Sequence, residues 1–423
     1  MRKERILCTF PWYYTISGGY CVTIRVEMRM HEPIDGDALR KAVDITMSRY
    51  PYLGKRLKAS PFRYYLVENR EPVAVIRTNG PVTLGGREAN GHQFAFSYWG
   101  NSIYLNQTHG IFDGRGSYPF TSTLLYYYCL YRYGENLSVP KMNLAGTPVN
   151  PDEYSDPYRH PFPKCRSNVK NPDRLRQALK LEKMGLVTPS RMRYCRIKIN
   201  EVELMKLCKS SDASPNTALS VLVCRAIRRL HPEVSAPVVT SIFCDTRSAL
   251  KAEHSHYSLA APLCLSYDDR MDSMEFSVQN TIFRGKLMVL SDDDSILRQQ
   301  RRMKALYKAL NLIPLLCVRK FAGRIGRWLS FRTCTFFISY ARNSSFGDCD
   351  KHLELYSPLQ YIKGSGLTLE VSTVDDSFMI TWLQEWKEWV YLDAFLEQCL
   401  QVGLSYELLD RGEMITDDYI LSK

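Results

Sequence analysis

The sequence predicts a mixed α/β (α+β) chain in two halves, on three observations. Its 423 residues are 45% hydrophobic and 24% charged; at roughly 100–200 residues per domain this allows two to three folding units and excludes disorder, collagen and a small disulfide-stapled scaffold. Strand-like and helix-like apolar patterns alternate in both the first and the last third of the chain. Between them, residues 149–190 are rich in Pro, Asp, Arg and Lys, with little periodicity before Leu175, which reads as a crossover. The expected boundaries are 1–165 for the first half, 166–190 for the linker and 191–423 for the second half.

Each element has a local reason. Residues 21–30 (CVTIRVEMRM) alternate apolar and polar side chains as a half-buried strand does, and Pro33-Ile34-Asp35-Gly36-Asp37 ends the run. Asp37 is placed to cap the next helix, where Leu39, Ala42, Val43 and Met47 recur at helical spacing until Pro51 stops it. Residues 94–99 and 102–107 form a hairpin about Gly100-Asn101. The second of these strands runs into Thr108-His109-Gly110-Ile111-Phe112-Asp113-Gly114, and residues 117–133 then make a Leu- and Tyr-rich helix closed by Gly134. In the second half, strands are expected at 192–199, 237–244, 335–342, 366–373 and 377–383, with helices from Asn200, over 216–230 and over about 390–400.

His109-x-x-x-Asp113-Gly114 is the motif that carries chemistry. It lies between a strand end and a helix, where a rigid scaffold gives way to a loop. Gly110, Gly114 and Gly116 remove side-chain bulk and are expected to leave room for a substrate beside the imidazole. With a reference pKa of about 6.5, a neutral His109 accepts a proton at physiological pH, and general-base help of that kind supplies about 10²–10⁴-fold. From the spacing alone the plainer reading comes first: a loop histidine bonded to backbone, with Asp113 capping the following helix.

In this setting the motif resembles that of the chloramphenicol acetyltransferase-like superfamily, which includes condensation domains, alcohol acetyltransferases and polyketide-associated acyltransferases. Residues 34–53 (IDGDALRKAVDITMSRYPYL) resemble its first helix with an R-Y-P-x-L ending. Residues 237–250 (PVVTSIFCDTRSAL) resemble the strand that carries a second-half Arg, and residues 335–347 (TFFISYARNSSFG) the strand and loop that close the channel. Thr108 stands where many members have another His, and the Asp-Phe-Gly-Trp-Gly sequence of the plant branch is absent.

The resemblance implies two subdomains, each a mixed sheet flanked by helices, with an active-site channel between them. His109 would be the general base, taking a proton from a hydroxyl or amine acceptor as it attacks an acyl thioester in a ternary complex. Asp113, followed by Gly114, would turn away from substrate and pair with Arg247 as a structural clamp. Ser339 and Asn343 are the oxyanion candidates. No bound cofactor is implied; the donor substrate would be an acyl-CoA or an acyl carrier protein thioester. A non-catalytic scaffold with the same fold is the alternative from another class.

Other signals are weaker. His254 and His256 could meet a metal with Cys264, but two histidines in a polar loop read as solvated, and no metal is expected. Asp292-Asp293-Asp294 reads as a helix start rather than a magnesium site. No G-x-S-x-G elbow, Walker or dinucleotide glycine pattern occurs. Thirteen cysteines are scattered with no Cys-x-x-Cys pair, and the N-terminus lacks a signal-peptide pattern, so a reduced, cytoplasmic protein is expected.

Of the formal net charge of +12, residues 283–332 carry most, with 12 Lys and Arg against three acids. Within them, residues 298–332 mix bases with Leu, Ile, Phe and Trp, and Pro314 should divide two amphipathic helices. The segment could instead contact a membrane surface, or dock an anionic donor or acidic carrier protein through Arg301, Arg302 and Lys304. No nucleic-acid reading motif accompanies the charge. The acceptor is expected to be a small or lipophilic alcohol or amine.

Overall fold

The structure is a computed structural model that describes residues 4–7, 13, 23–134, 137–138, 142–166, 177–182, 191–310, 312–318, 321, 332–340, 345–361, 366–374 and 376–415. Strand β1 (Thr23–Met30) turns Ile24, Val26, Met28 and Met30 onto helix α1 (Gly36–Arg49). The cap of α1 is Asp35, not the expected Asp37: its extended backbone lets the carboxylate accept from the N–H groups of Asp37 and Ala38, at 2.9 and 3.0 Å. Strands β2 (Lys55–Ala59) and β3 (Tyr64–Glu68) pair as a separate hairpin. Then follow β4 (Val75–Arg77), β5 (Phe94–Trp99) and β6 (Ser102–Thr108), the last two joined through Gly100 at φ 55°. Helix α2 (Gly114–Tyr133) ends at Gly134, whose left-handed φ of 70° brings its N–H to the Leu130 carbonyl.

The second half runs β7 (Arg191–Asn200), α3 (Glu201–Ser210), α4 (Pro215–Leu230) and β8 (Val238–Asp245), with Asn200 and Ser214 as helix caps. A single helical turn, Arg247–Leu250, leads to β9 (Ala260–Tyr267), α5 (Phe276–Ser291) and α6 (Asp293–Leu310). The chain closes with β10 (Phe336–Tyr340), β11 (Leu353–Tyr361), β12 (Leu367–Val374), β13 (Ser377–Gln384), α7 (Val390–Gln401) and β14 (Glu407–Ile415). Asp293 and Asp294 occupy the first turn of α6, where the helix dipole favours anions.

Two large sheets result. The first has the order β11-β1-β6-β5-β4 and the second β14-β7-β13-β12-β10-β8-β9. In the second sheet β10 is parallel to β8 and β12 while the remaining pairs are antiparallel, so it is mixed. Its apolar face, including Ile197, Phe336, Ile338, Leu369 and Trp382, packs on α4 and α7. The opposite face is polar and meets the first sheet: Thr381 Oγ1 lies 2.7 Å from Ser357 Oγ, and the Ser372 hydroxyl donates to the Tyr356 carbonyl at 2.6 Å.

Strand β11 crosses between the halves. It comes late in the chain yet pairs antiparallel with β1 along the whole length of that strand, from Thr23↔Tyr361 to Met30↔Leu353. An ion network lies beside it. Buried Arg196 on β7 pairs with Glu27 on β1 and, at 2.8 Å, with Asp410, which also takes Arg29 at 2.9 Å. Among the described residues no helix is long and apolar enough to cross a membrane.

Candidate active site

β6 delivers Thr108 to the edge of the seam between the sheets, and the chain turns through His109 before Asp113 starts α2. His109 is buried, and its Nδ1 lies 3.2 Å from Ser258 Oγ. The imidazole also bonds its own backbone carbonyl. A carbonyl only accepts, so a proton on the ring nitrogen that meets it would leave the other nitrogen with its lone pair. Burial pushes the His109 pKa below its usual value, against the opposing pull of Asp113 and the carbonyl, which keeps the ring neutral at physiological pH.

The Asp113 carboxylate meets the second half of the chain. Its Oδ1 accepts from Gly116 N–H at 2.7 Å, which makes it the helix cap, and its Oδ2 from Leu259 N–H at 2.8 Å. Arg247 completes the shell with two bonds, at 2.8 and 3.1 Å. Burial alone would raise the carboxyl pKa; Arg247 and the two N–H groups outweigh it and hold the pKa below the usual carboxylate value.

Arg247 begins the helical turn after β8, and all its side-chain donors are used. Nε reaches the Ser255 carbonyl at 2.7 Å, while the terminal nitrogens reach Asp113, Asp245 at 2.8 Å and the Tyr257 carbonyl at 2.7 Å. One guanidinium therefore fixes both the helix cap beside His109 and the 255–259 loop that supplies Ser258.

Neither a family model nor a curated protein matches the sequence. Solved structures do. Polyketide synthase associated protein 5 from Mycobacterium tuberculosis is similar with a TM-score of 0.62 at 14% identity, over 95% of this chain and 99% of that one. F. graminearum TRI101, complexed with coenzyme A and deoxynivalenol, gives 0.60 at 10% identity, over 96% and 100%. The first condensation domain of the CDA synthetase gives 0.56 at 12%, over 97% and 99%. The chain has the chloramphenicol acetyltransferase-like fold.

Within the chloramphenicol acetyltransferase-like fold, the expected site residues separate into two groups. His109, Asp113 and Arg247 come together as described. Ser339, on β10, instead directs its hydroxyl to Glu370 on the neighbouring strand, and Asn343 lies outside the described residues. The three glycines do not act alike. A Cβ on Gly110 would lie 2.5 Å from the Tyr13 ring, whose hydroxyl bonds the Gly110 carbonyl, so the space beside that glycine is filled rather than left for substrate. A Cβ on Gly116 would come within 2.0 Å of the His256 carbonyl oxygen, whereas Gly114 has nothing within 4 Å.

His256 is not solvated as its polar loop suggested. It is buried between the rings of Tyr50 and Tyr52, and burial lowers its pKa to about 4. Among the described residues no cluster of three or more His, Cys, Asp or Glu is placed to hold a metal ion. On α6, Arg301 bonds the Pro163 carbonyl, and Lys304 reaches the His160 carbonyl at 2.7 Å and the face of Phe162; Arg302 is exposed. Two of the three side chains expected to meet a donor or partner therefore tie down the chain's own crossover. Most of 319–331 lies outside the described residues.

Ser258 was not singled out from the sequence, and His256 was read there only as a solvated histidine or metal ligand.

Proposed function

We propose that the protein is an acyltransferase that moves an acyl group from a coenzyme A thioester to the hydroxyl or amine of a small acceptor, with His109 as general base. The carrying observation is the buried His109, held beside Ser258 with its pKa lowered by burial. As the acceptor oxygen or nitrogen attacks the thioester carbonyl, Nε2 takes its proton. Collapse of the tetrahedral adduct breaks the carbon–sulfur bond, and the departing thiolate receives that proton from the imidazolium. Ser258 and the carbonyl of His109 hold the ring; Asp113 and Arg247 hold the loop and helix that carry it. The likeness to a structure complexed with coenzyme A supports the donor class.

A carrier-protein thioester is the second reading, favoured by the likeness to a condensation domain. The test is incubation with a panel of acyl-CoAs and alcohol or amine acceptors while free thiol release is followed. His109→Ala is expected to lower acceptor-dependent turnover by about 10²–10⁴-fold. Full turnover in that variant would overturn the mechanism, and no turnover by the wild type with any pair would favour the carrier donor or a non-catalytic scaffold.

A further inference from the structure

From Ser295 to Gly347 the chain carries eleven Lys and Arg and not one Asp or Glu. Within that stretch α6 buries Ile296, Leu297 and Tyr307, which leaves Arg302 and Leu306, one turn apart, exposed together with Lys308. Beyond α6 the chain passes Pro314 into a further helical turn, 315–318. Leu315 and Val318 are buried there with Leu57, Tyr64 and Tyr307, and the Leu315 N–H donates to the Pro61 carbonyl at 3.0 Å. That anchorage fixes which side chains face out: Leu315 is 2% exposed, but Leu316 is 68% and Leu312 84% exposed.

Pro61 lies at the tip of the β2–β3 hairpin, so the same hydrogen bond brings a second apolar tip alongside the first. Phe62 is 59% exposed on that tip, and Arg63 beside it is exposed too. Ile313 and Phe321 add to the exposed apolar surface. Large apolar side chains thus stand in water on two separate segments that are bonded to each other, with the bases Arg63, Arg302 and Lys308 on the same two segments. An apolar surface of this kind marks a contact.

Charge and shape choose the partner. A second copy would set bases against bases across a two-fold interface. The leucines and Phe62 stand on a turn and a hairpin tip, so a rigid protein partner would need a matching pocket for each. A bilayer needs none, because its acyl chains accommodate the apolar groups while anionic headgroups meet the bases. We infer that this face, built from the β2–β3 tip and the chain that follows α6, docks the protein reversibly on an anionic phospholipid bilayer.

The test is sedimentation of the full chain with vesicles of phosphatidylcholine alone, and of two parts phosphatidylcholine to one part phosphatidylglycerol. The wild type is expected to bind the anionic vesicles about 10-fold more tightly or better, and to lose most of that preference as salt is raised. Leu312→Ser combined with Leu316→Ser should weaken binding by about 10-fold or more, as two leucines no longer leave water. Arg302→Gln combined with Lys308→Gln should weaken binding to the anionic vesicles about 10-fold. All four positions are exposed, and thermal melts check that the fold is kept. Should the leucine variant melt early, Phe62→Ser, on the other segment, makes the same comparison, with an expected loss of about 5-fold. No binding, equal binding to both kinds of vesicle, or leucine and Phe62 variants that bind like the wild type overturns the assignment. A dimer in sedimentation equilibrium, or a complex with an acidic acyl carrier protein, that the leucine substitutions abolish while vesicles go unbound also overturns it and gives the face to a protein partner. Thioester turnover with soluble reactants is a separate readout, so failure of the docking leaves the acyltransferase reading in place.

Discussion

The Arg247 guanidinium grips the Asp113 carboxylate at two points, 2.8 and 3.1 Å, although 134 residues separate them in sequence. Both side chains are buried, so neither charge has solvent to fall back on. Asp113→Asn is expected to lower the unfolding free energy by about 3 kcal/mol, the low end of the range for breaking a buried pair, because Asp245 stays 2.8 Å from Arg247 to carry part of its charge. Urea denaturation checks this. A variant with the wild-type midpoint would show that the pair does not hold the halves together.

The motif glycines should respond oppositely to one added methyl group. Gly116→Ala drives a carbon into the His256 carbonyl and should reduce both stability and activity. Gly114→Ala meets open space at a helix start and should leave stability within about 0.5–1 kcal/mol of the wild type or raise it. Thermal melts of the two variants, side by side, decide the point.

The pH dependence of activity follows from the direction of the His109 shift. Since burial lowers its pKa, the base stays competent below its usual titration range. The acid limb of kcat/KM should therefore bend below pH of about 6.5. A limb centred above that value would assign the titration to another group.

Stability should depend on pH through His256. The unfolded chain binds its proton at pH of about 6.5, the folded one only at about 4. Stability is thus complete above the unfolded value and falls as pH drops through the interval, by up to about 3 kcal/mol. His109 adds to the loss with the same sign, and Asp113 adds more in stronger acid, as its depressed pKa is reached. Denaturation curves from pH 7 to 4 for the wild type and His256→Phe should separate the His256 share; parallel curves would remove it.

The second tie between the halves offers a comparison. Arg196→Ala leaves Glu27 buried, but Arg29 remains 3.1 Å from it to carry part of the charge. The expected loss is about 3 kcal/mol, at the low end of the range for breaking a buried pair. Chemical denaturation with Asp113→Asn as the reference measures both.

Much of this fold is legible in sequence where the signal is local. The hairpin turn at Gly100, the α2 stop at Gly134 and the alternation of β1 are written in adjacent residues. Misplacing the α1 cap by two residues shows the limit: Asp35 and Asp37 have the same chemistry, and only backbone conformation chooses between them. β11 and β14 carry mixed, weakly periodic sequences whose partners lie far off in the chain. At the site, His109 and Asp113 announce themselves by spacing, and Arg247 by the resemblance around it. Ser258 is recognisable only once Arg247 has drawn its loop across 149 residues to the imidazole.

The borrowed strand also imposes an order on synthesis. A ribosome releases β1, β4, β5 and β6 long before Leu353–Tyr361 exists, so the nascent first sheet waits with one backbone edge of β1 uncovered. A product terminated before that point keeps a strand-shaped vacancy that another chain can fill. Only after residue 361 is made does the first sheet acquire its last strand, and β1 is then covered along both edges.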